Sequence, residues 1–219
     1  MIGLYKTKGK RIFDIIISLI ALIFLMPLLI VVSLIVKFKI GKPILFKQKR
    51  PGKDGEIFTM LKFRTMTNEK DENGELLEDS KRLTPFGTFL RKTSIDELPE
   101  LINILKGDMS FVGPRPLSVL YLPYYTKEEF NRHSVLPGLT GLAQVKGRNK
   151  LNWEEKFEYD LYYVDNLSFK LDLILILKTF ITILGSKNDV VTRGTGNVQD
   201  FHVYRKKNLE KGDSYERNR

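Results

Sequence analysis

The chain has no cysteine, and among its 219 residues only two are histidine, His133 and His202, and one is tryptophan, Trp153. The first absence excludes disulfides, thiol nucleophiles and thiolate metal sites together. The scarcity of histidine argues against a multi-histidine metal centre and most Ser–His hydrolase arrangements, which leaves carboxylates as the plausible reactive groups. Negative charge is also in deficit: 36 Lys and Arg oppose 26 Asp and Glu, giving a formal net charge of +10 and a pI near 9.6. That excess implies an anionic partner, whether nucleic acid, a phosphate-bearing substrate or lipid headgroups, and composition does not choose among them. The length is that of one domain, or one domain with an appendage.

One long hydrophobic run is present, from Ile12 to Val36, interrupted only by Asp14, Ser18 and Ser33. Its roughly 25 residues suffice to cross about 30 Å of hydrocarbon. The run is too long for a cleaved signal peptide, and no small-residue cleavage pattern follows it. Pro27, near its middle, removes a backbone hydrogen bond and bends a helix. Lys6, Lys8, Lys10 and Arg11 precede the run, and Lys37, Lys39, Lys42, Lys47, Lys49 and Arg50 follow it. Segments rich in Lys and Arg stay cytoplasmic. With both flanks basic, the expected form is a bent, re-entrant helix that enters and leaves on the cytoplasmic face, with a tilted span as the alternative.

Downstream, short apolar runs at 44–46 and 57–61 straddle Pro-Gly and Asp-Gly turns and predict a small hairpin at the membrane surface. Residues 67–82 are charged and apolar-poor, as in an exposed loop. Thr84-Pro85 predicts the cap and first residue of a short helix. Trp153 to Tyr163 has helical periodicity. Leu171 to Leu184, broken by Asp172 and Lys178, predicts an interfacial or core segment, and the tail from Gly185 reads as polar and loosely held. The expected fold class is α+β and predominantly helical, with interfacial amphipathic helices and a small β-hairpin. Its parts are a membrane-anchoring helix at 1–40, a catalytic domain at 41–184 and a polar tail at 185–219.

The densest chemistry lies between Arg91 and Pro116. Ser94 followed three residues later by Glu97 matches a capping box, which places Asp96 and Glu97 in the first turn of a helix ending near Lys106. Were Pro99 instead the first helical residue, the acids would lie on the turn leading in. A helix N-terminus favours carboxylates and phosphates. Gly113-Pro114-Arg115-Pro116 forms a rigid turn that aims one guanidinium. Arg91 and Arg115 thus suit a phosphate clamp, Lys62 and Arg64 add positive charge nearby, and Arg148 is a further phosphate candidate. The plain alternative is a helix start with its usual acids, followed by a surface turn.

These motifs resemble, in order, those of the bacterial sugar transferases, the small monotopic polyprenyl-phosphate phosphoglycosyl transferases. The resemblance runs from Lys-Arg-Ile-Phe-Asp at 10–14 through Phe-Lys-Gln-Lys-Arg-Pro-Gly at 46–52, Lys-Phe-Arg-Thr-Met at 62–66 and Thr-Ser-Ile-Asp-Glu-Leu-Pro at 93–99. It continues through Lys-Gly-Asp-Met-Ser-Phe-Val-Gly-Pro-Arg-Pro at 106–116, Pro-Gly-Leu-Thr-Gly at 137–141 and Gly-Arg-Asn at 147–149. It implies a ping-pong reaction in which Asp96 attacks the β-phosphorus of a UDP-sugar, expels UMP and passes the phospho-sugar to polyprenyl phosphate. Glu97 would complete the dyad and help Asp96 hold Mg²⁺. Arg91, Arg115, Pro114, Pro116, Lys62, Arg64 and Arg148 would contact substrate. The implied partners are a UDP-sugar, most closely a UDP-N-acetylated hexose, with UDP-glucose or UDP-galactose as the alternative, together with undecaprenyl phosphate and membrane lipid, but no nucleic acid. The implied location is the bacterial inner membrane with the catalytic domain facing the cytoplasm, and a dimer is one compatible state. Met26-Pro27 departs from the family's usual Ser-Pro, and Leu142 stands where an aromatic residue often follows the Pro-Gly motif. A basic membrane-tethered binding protein without enzymatic activity would account for the charge and the anchor, but not for Asp96-Glu97. A phosphatase acting through an aspartyl-phosphate shares the first step and differs in using water as acceptor.

Overall fold

The structure, a computed structural model, describes residues 5–147, 150–185 and 200–216. After a π-helical turn at Tyr5–Gly9, helix α1 (Lys10–Lys39) runs unbroken through Pro27. Its contour is about 45 Å at 1.5 Å per residue, and by length and composition it could cross a membrane. One stripe of α1 lies on the rest of the molecule for its whole length. Asp14, Ser18, Val32, Val36 and Ile40 are buried, and Leu22, Leu25 and Leu29 pack on the core between them. The spacing of three to four residues is that of one helix face. The opposite face stays apolar and exposed, with Phe24 and Phe38 about four-fifths accessible.

Strands β1 (Leu45–Pro51) and β2 (Ile57–Phe63) form the expected antiparallel hairpin, with Leu45 opposite Phe63 and Pro51 opposite Ile57. Asp54 and Gly55 turn the chain with positive φ. The charged segment 67–82 is largely exposed, as expected, and carries local hydrogen bonds of its own. Asp71 Oδ1 accepts from the Asn73 and Glu75 amides, each at 2.9 Å, and Lys70 bridges Leu76. Helix α2 (Pro85–Lys92) starts as expected, with Thr84 Oγ1 accepting from the Gly87 amide at 2.9 Å.

Helix α3 (Glu100–Lys106) leads to β3 (Ser110–Val112), which pairs in parallel with β4 (Gly138–Thr140). Arg11 of α1 donates to the Ile104 and Leu105 carbonyls at 2.5 and 2.6 Å, satisfying the C-terminal end of α3. Helices α4 (Leu142–Lys146), α5 (Trp153–Asp165) and α6 (Phe169–Gly185) follow. A capping box between Asn152 and Glu155 starts α5.

Asp172 does not break an apolar stretch so much as fasten it. Fully buried, it accepts from Lys10 Nζ at 2.6 Å and from the Tyr5 and Tyr163 hydroxyls at 2.7 Å. Asp14 accepts likewise from Ser110 Oγ and the Phe111 amide at 3.0 and 3.1 Å. Buried carboxylates persist when paired or hydrogen-bonded in this way, and these two tie α1 to α6 and β3.

The segment expected to be a loose tail contains helix α7 (Phe201–Glu216). Phe201 is fully buried among Tyr121, Trp153 and Phe157, with ring centroids 5.0 to 5.5 Å away. The polar composition of the tail concealed one anchoring aromatic residue.

Candidate active site

The acids at the centre of the site are not in the first turn of an α-helix. Pro99 has no N–H to bond back to residue 95, so a regular helix cannot run from Ser94. Ser94 instead adopts a left-handed backbone with φ 56° and makes no side-chain cap, Ile95–Glu97 forms a 3₁₀ turn, and α3 begins after Pro99. The capping box expected at Ser94 is absent, and the acids lie on the turn leading in. Left-handed geometry in a non-glycine residue costs about 1–3 kcal/mol and concentrates at functional sites.

Side-chain cations, rather than a helix terminus, organise the charge. Glu97 Oε1 accepts from Lys62 Nζ at 2.5 Å and from Arg115 Nη2 at 2.8 Å. Lys62 Nζ also lies 3.1 Å from Oε1 of Glu100, a buried third acid that sequence reasoning passed over although it sits one turn beyond Glu97. Burial alone would raise Glu97, but Arg115 and Lys62 outweigh it and hold this carboxyl well below the usual carboxylate range. Burial, then the charge of Glu97, pushes Asp96 up to about 6, while Lys62, Arg91 and Arg115 act against the rise. The same two causes push Glu100 up to about 7. Asp96 has no hydrogen-bond partner among the described residues and is 9% exposed. It is therefore a buried carboxylate unclaimed by its surroundings.

Arg91 Nε donates to Thr65 Oγ1 at 3.0 Å, and its two Nη groups have no protein partner among the described residues. Arg115 is aimed from behind. A Cβ on Gly113 would lie 2.3 Å from Leu136 O, and one on Gly138 would lie 2.1 Å from Gly113 N. Gly113 is thus required for close approach of two backbones rather than for a positive φ. The Gly138 amide donates to Pro114 O at 3.0 Å, so Pro114 and Pro116 shape the turn that carries Arg115. Arg132, which the sequence did not single out, donates from Nη2 to Arg115 O at 2.7 Å. It is itself held by Asp160 Oδ2 at 2.7 and 3.0 Å, both residues being buried.

Arg64 is placed differently from its expected substrate-facing role. Its Nε and Nη1 donate to Met66 O and Lys42 O at 2.8 and 2.5 Å, which ties the end of β2 to the segment after α1. Only its buried Nη2 lacks a partner. Arg148 lies outside the described residues. The structure thus brings together Lys62, Asp96, Glu97 and Arg115, with Arg91 beside them.

Among the described residues no cluster of three acidic, histidine or cysteine ligands is found. Mg²⁺, however, is commonly bound through one or two carboxylates completed by substrate phosphates. Asp96 and the second oxygen of Glu97, both without a hydrogen-bond donor among the described residues, fit that donor set.

The site is thus an unclaimed carboxylate ringed by lysine and arginine, in a chain whose N-terminal helix is long and apolar enough to cross a membrane. The chain belongs to the bacterial sugar transferase family, whose description matches residues 5–186, and it is a transferase. It is 51% identical over 178 residues to an uncharacterized sugar transferase, EpsL, of Bacillus subtilis, covering 81% of this chain and 88% of that protein. It is 38% identical to the UDP-glucose:undecaprenyl-phosphate glucose-1-phosphate transferase of Xanthomonas campestris, covering 84% of this chain and 40% of that longer protein. It is 37% identical to the UDP-N-acetylgalactosamine-undecaprenyl-phosphate N-acetylgalactosaminephosphotransferase of Aeromonas hydrophila, covering 80% of this chain and 43% of that protein.

Proposed function

We propose that the protein transfers a phospho-sugar from a UDP-sugar to undecaprenyl phosphate, with Asp96 carrying the sugar phosphate between two half-reactions. Asp96 carries this reading: a buried carboxylate without a hydrogen-bond partner among the described residues, next to an acid already paired with two cations. In the first step an Asp96 oxygen attacks the β-phosphorus and the diphosphate bond breaks, so that UMP leaves with the bonding electron pair. In the second, an oxygen of the lipid phosphate attacks the acyl phosphate, giving polyprenyl-diphosphate-sugar and restoring the carboxylate. Such transfers depend on positioning and on neutralising non-bridging oxygens. Arg91 presents two unpaired Nη groups for that purpose, and Arg115 is held in place through its own backbone. Glu97 and Asp96 would hold Mg²⁺, which supplies further neutralisation of the donor diphosphate.

The covalent route lets a water-soluble donor and a lipid acceptor use one site in turn. The reading places the enzyme on the cytoplasmic face of the bacterial inner membrane with α1 re-entrant. This is supported by the basic flanks and by both ends of α1 being fastened to the same globular body, through Lys10–Asp172 at one end and Val36 and Ile40 at the other. A UDP-N-acetylated hexose is the preferred donor. UDP-glucose is the second reading, favoured by the relative named for it.

Intact-protein mass spectrometry after incubation with Mg²⁺ and individual UDP-sugars, without lipid, tests the proposal. A sugar-phosphate adduct mapped to Asp96 is the expected result. UMP release only when lipid phosphate is present would replace it with direct transfer.

A further inference from the structure

The positive charge that the catalytic cluster does not use is concentrated where α1 ends. Lys37 and Lys39 stand on its last turn, Lys42 on the link that follows, and Lys47 and Lys49 on β1. All five are exposed, and none of their ammonium groups makes a hydrogen bond or ion pair with the described residues. Lys10, Lys62 and Arg132, by contrast, are each paired with a carboxylate. The acids between Lys37 and Lys62 are Asp54 and Glu56, both at the far turn of the hairpin.

These lysines share one preformed ledge. Val36 and Ile40 of α1 pack with Phe63 of β2 in a single buried cluster. The Arg64 amide donates to Ile44 O at 2.9 Å and Arg64 Nη1 to Lys42 O at 2.5 Å, so the link between α1 and β1 is fastened to the end of β2. Lys47 lies opposite Leu61 and Lys49 opposite Thr59, which leaves neither with an acidic cross-strand neighbour. Alternation places both on one face of the hairpin, about 7 Å apart. Two aromatic residues interleave the cations, Phe38 at 79% and Phe46 at 46% exposure. Water solvates ammonium groups but gains nothing from exposed rings, whereas anionic headgroups above hydrocarbon accept both. The ledge begins where the apolar run of the one described helix able to cross a membrane stops.

We propose that this ledge seats the protein on anionic phospholipid headgroups and selects them over zwitterionic ones around the end of α1. The proposal rests on α1 lying in the bilayer, as read above, and adds a selection among the lipids that surround it. Because β1 is hydrogen-bonded to β2, a hairpin seated through Lys47 and Lys49 brings Lys62 and its partner Glu97 to the level of the lipid phosphates.

The test places the full chain in nanodiscs of equal parts phosphatidylglycerol and phosphatidylcholine with identical acyl chains, and native mass spectrometry counts the lipids of each kind retained on the protein. Identical chains make the hydrocarbon contacts cancel, so a preference reports headgroups. The wild type should retain phosphatidylglycerol preferentially, and added salt should weaken that preference by screening. Each lysine near an anionic surface is worth a factor of about five. Lys37→Gln, Lys39→Gln, Lys47→Gln and Lys49→Gln together should therefore lower the preference at least about tenfold. Lys70→Gln, Lys81→Gln, Lys127→Gln and Lys207→Gln together, at exposed positions elsewhere, change the net charge equally and should leave the preference in place. A wild type without preference overturns the proposal, whether or not a variant folds. A folded ledge variant that keeps the preference overturns it too, and so does an equal loss in the second variant, which would reduce the effect to net charge. Recovery of the protein in the discs reports insertion of α1, and the adduct on Asp96 decides the transferase reading, so each can fail separately from this proposal.

Discussion

Arg132 donates to the backbone carbonyl of Arg115 at 2.7 Å while the same guanidinium is bound twice by the buried carboxylate of Asp160. The rings of Tyr125 and Phe157 lie against it at 5.9 and 6.0 Å. A residue far from the reacting atoms thus grips the main chain of one that pairs with Glu97. Holding Arg115 by its backbone leaves its guanidinium to make the Glu97 pair.

Replacing this pair as a unit, by Arg132→Met with Asp160→Leu, should leave stability within about 2 kcal/mol of wild type, because no buried charge is stranded. UMP release should nevertheless fall about 10- to 100-fold as Arg115 loses its anchor. Arg132→Lys should show the same separation, since one ammonium cannot copy the guanidinium fork. Thermal melts beside single-turnover rates check this, and wild-type rates in both folded proteins would refute the positioning role.

Asp96→Asn should abolish the covalent adduct and lower transfer by at least about 10³-fold while the protein still folds. The substitution removes the proposed nucleophile and preserves its shape. Near-normal turnover would reduce Asp96 to a supporting group.

The rate of UMP release should fall as pH drops through about 6, the value to which burial and Glu97 raise Asp96, because only the ionised carboxylate attacks. Glu97→Gln removes the neighbouring negative charge and leaves Lys62 and Arg115 positive. In that slower enzyme the acid limb should move to lower pH. A limb that stays in place would mean that a group beyond the influence of Glu97 governs the titration, since Glu97 raises Asp96 and Glu100 alike.

Phe201→Ala should destabilise the protein by about 3–5 kcal/mol, the usual cost of emptying a buried aromatic site. The melting temperature should fall on the order of 10 °C. An unchanged melt would mean that α7 contributes nothing to the aromatic cluster, although Phe201 is fully buried there.

Much of the fold could be read directly. The hairpin, the Thr84 cap and the helix at Trp153 follow from local chemistry, because turn residues, caps and periodicity act over a few positions. Asp96, Glu97 and Arg115 stood out because unusual residue types lie close together in the chain. Ser94 misled because its spacing to Glu97 satisfies a capping box, whereas backbone handedness and the missing N–H of Pro99 decide whether one forms. Arg132, Asp160 and Phe201 carry no local signal at all, since their roles depend on partners tens of residues away.

By itself the sequence determined the apolar helix, the basic charge, the adjacent pair of acids and the family, because each is written in residue type, order and short spacing. Only the tertiary structure decided which cation meets which acid, that Asp172 fastens α1 rather than interrupting α6, and that Arg64 binds backbone. Pairing across distant segments depends on where packed elements bring side chains within about 3 Å, a distance that hydrogen bonds require and that spacing along a chain does not encode.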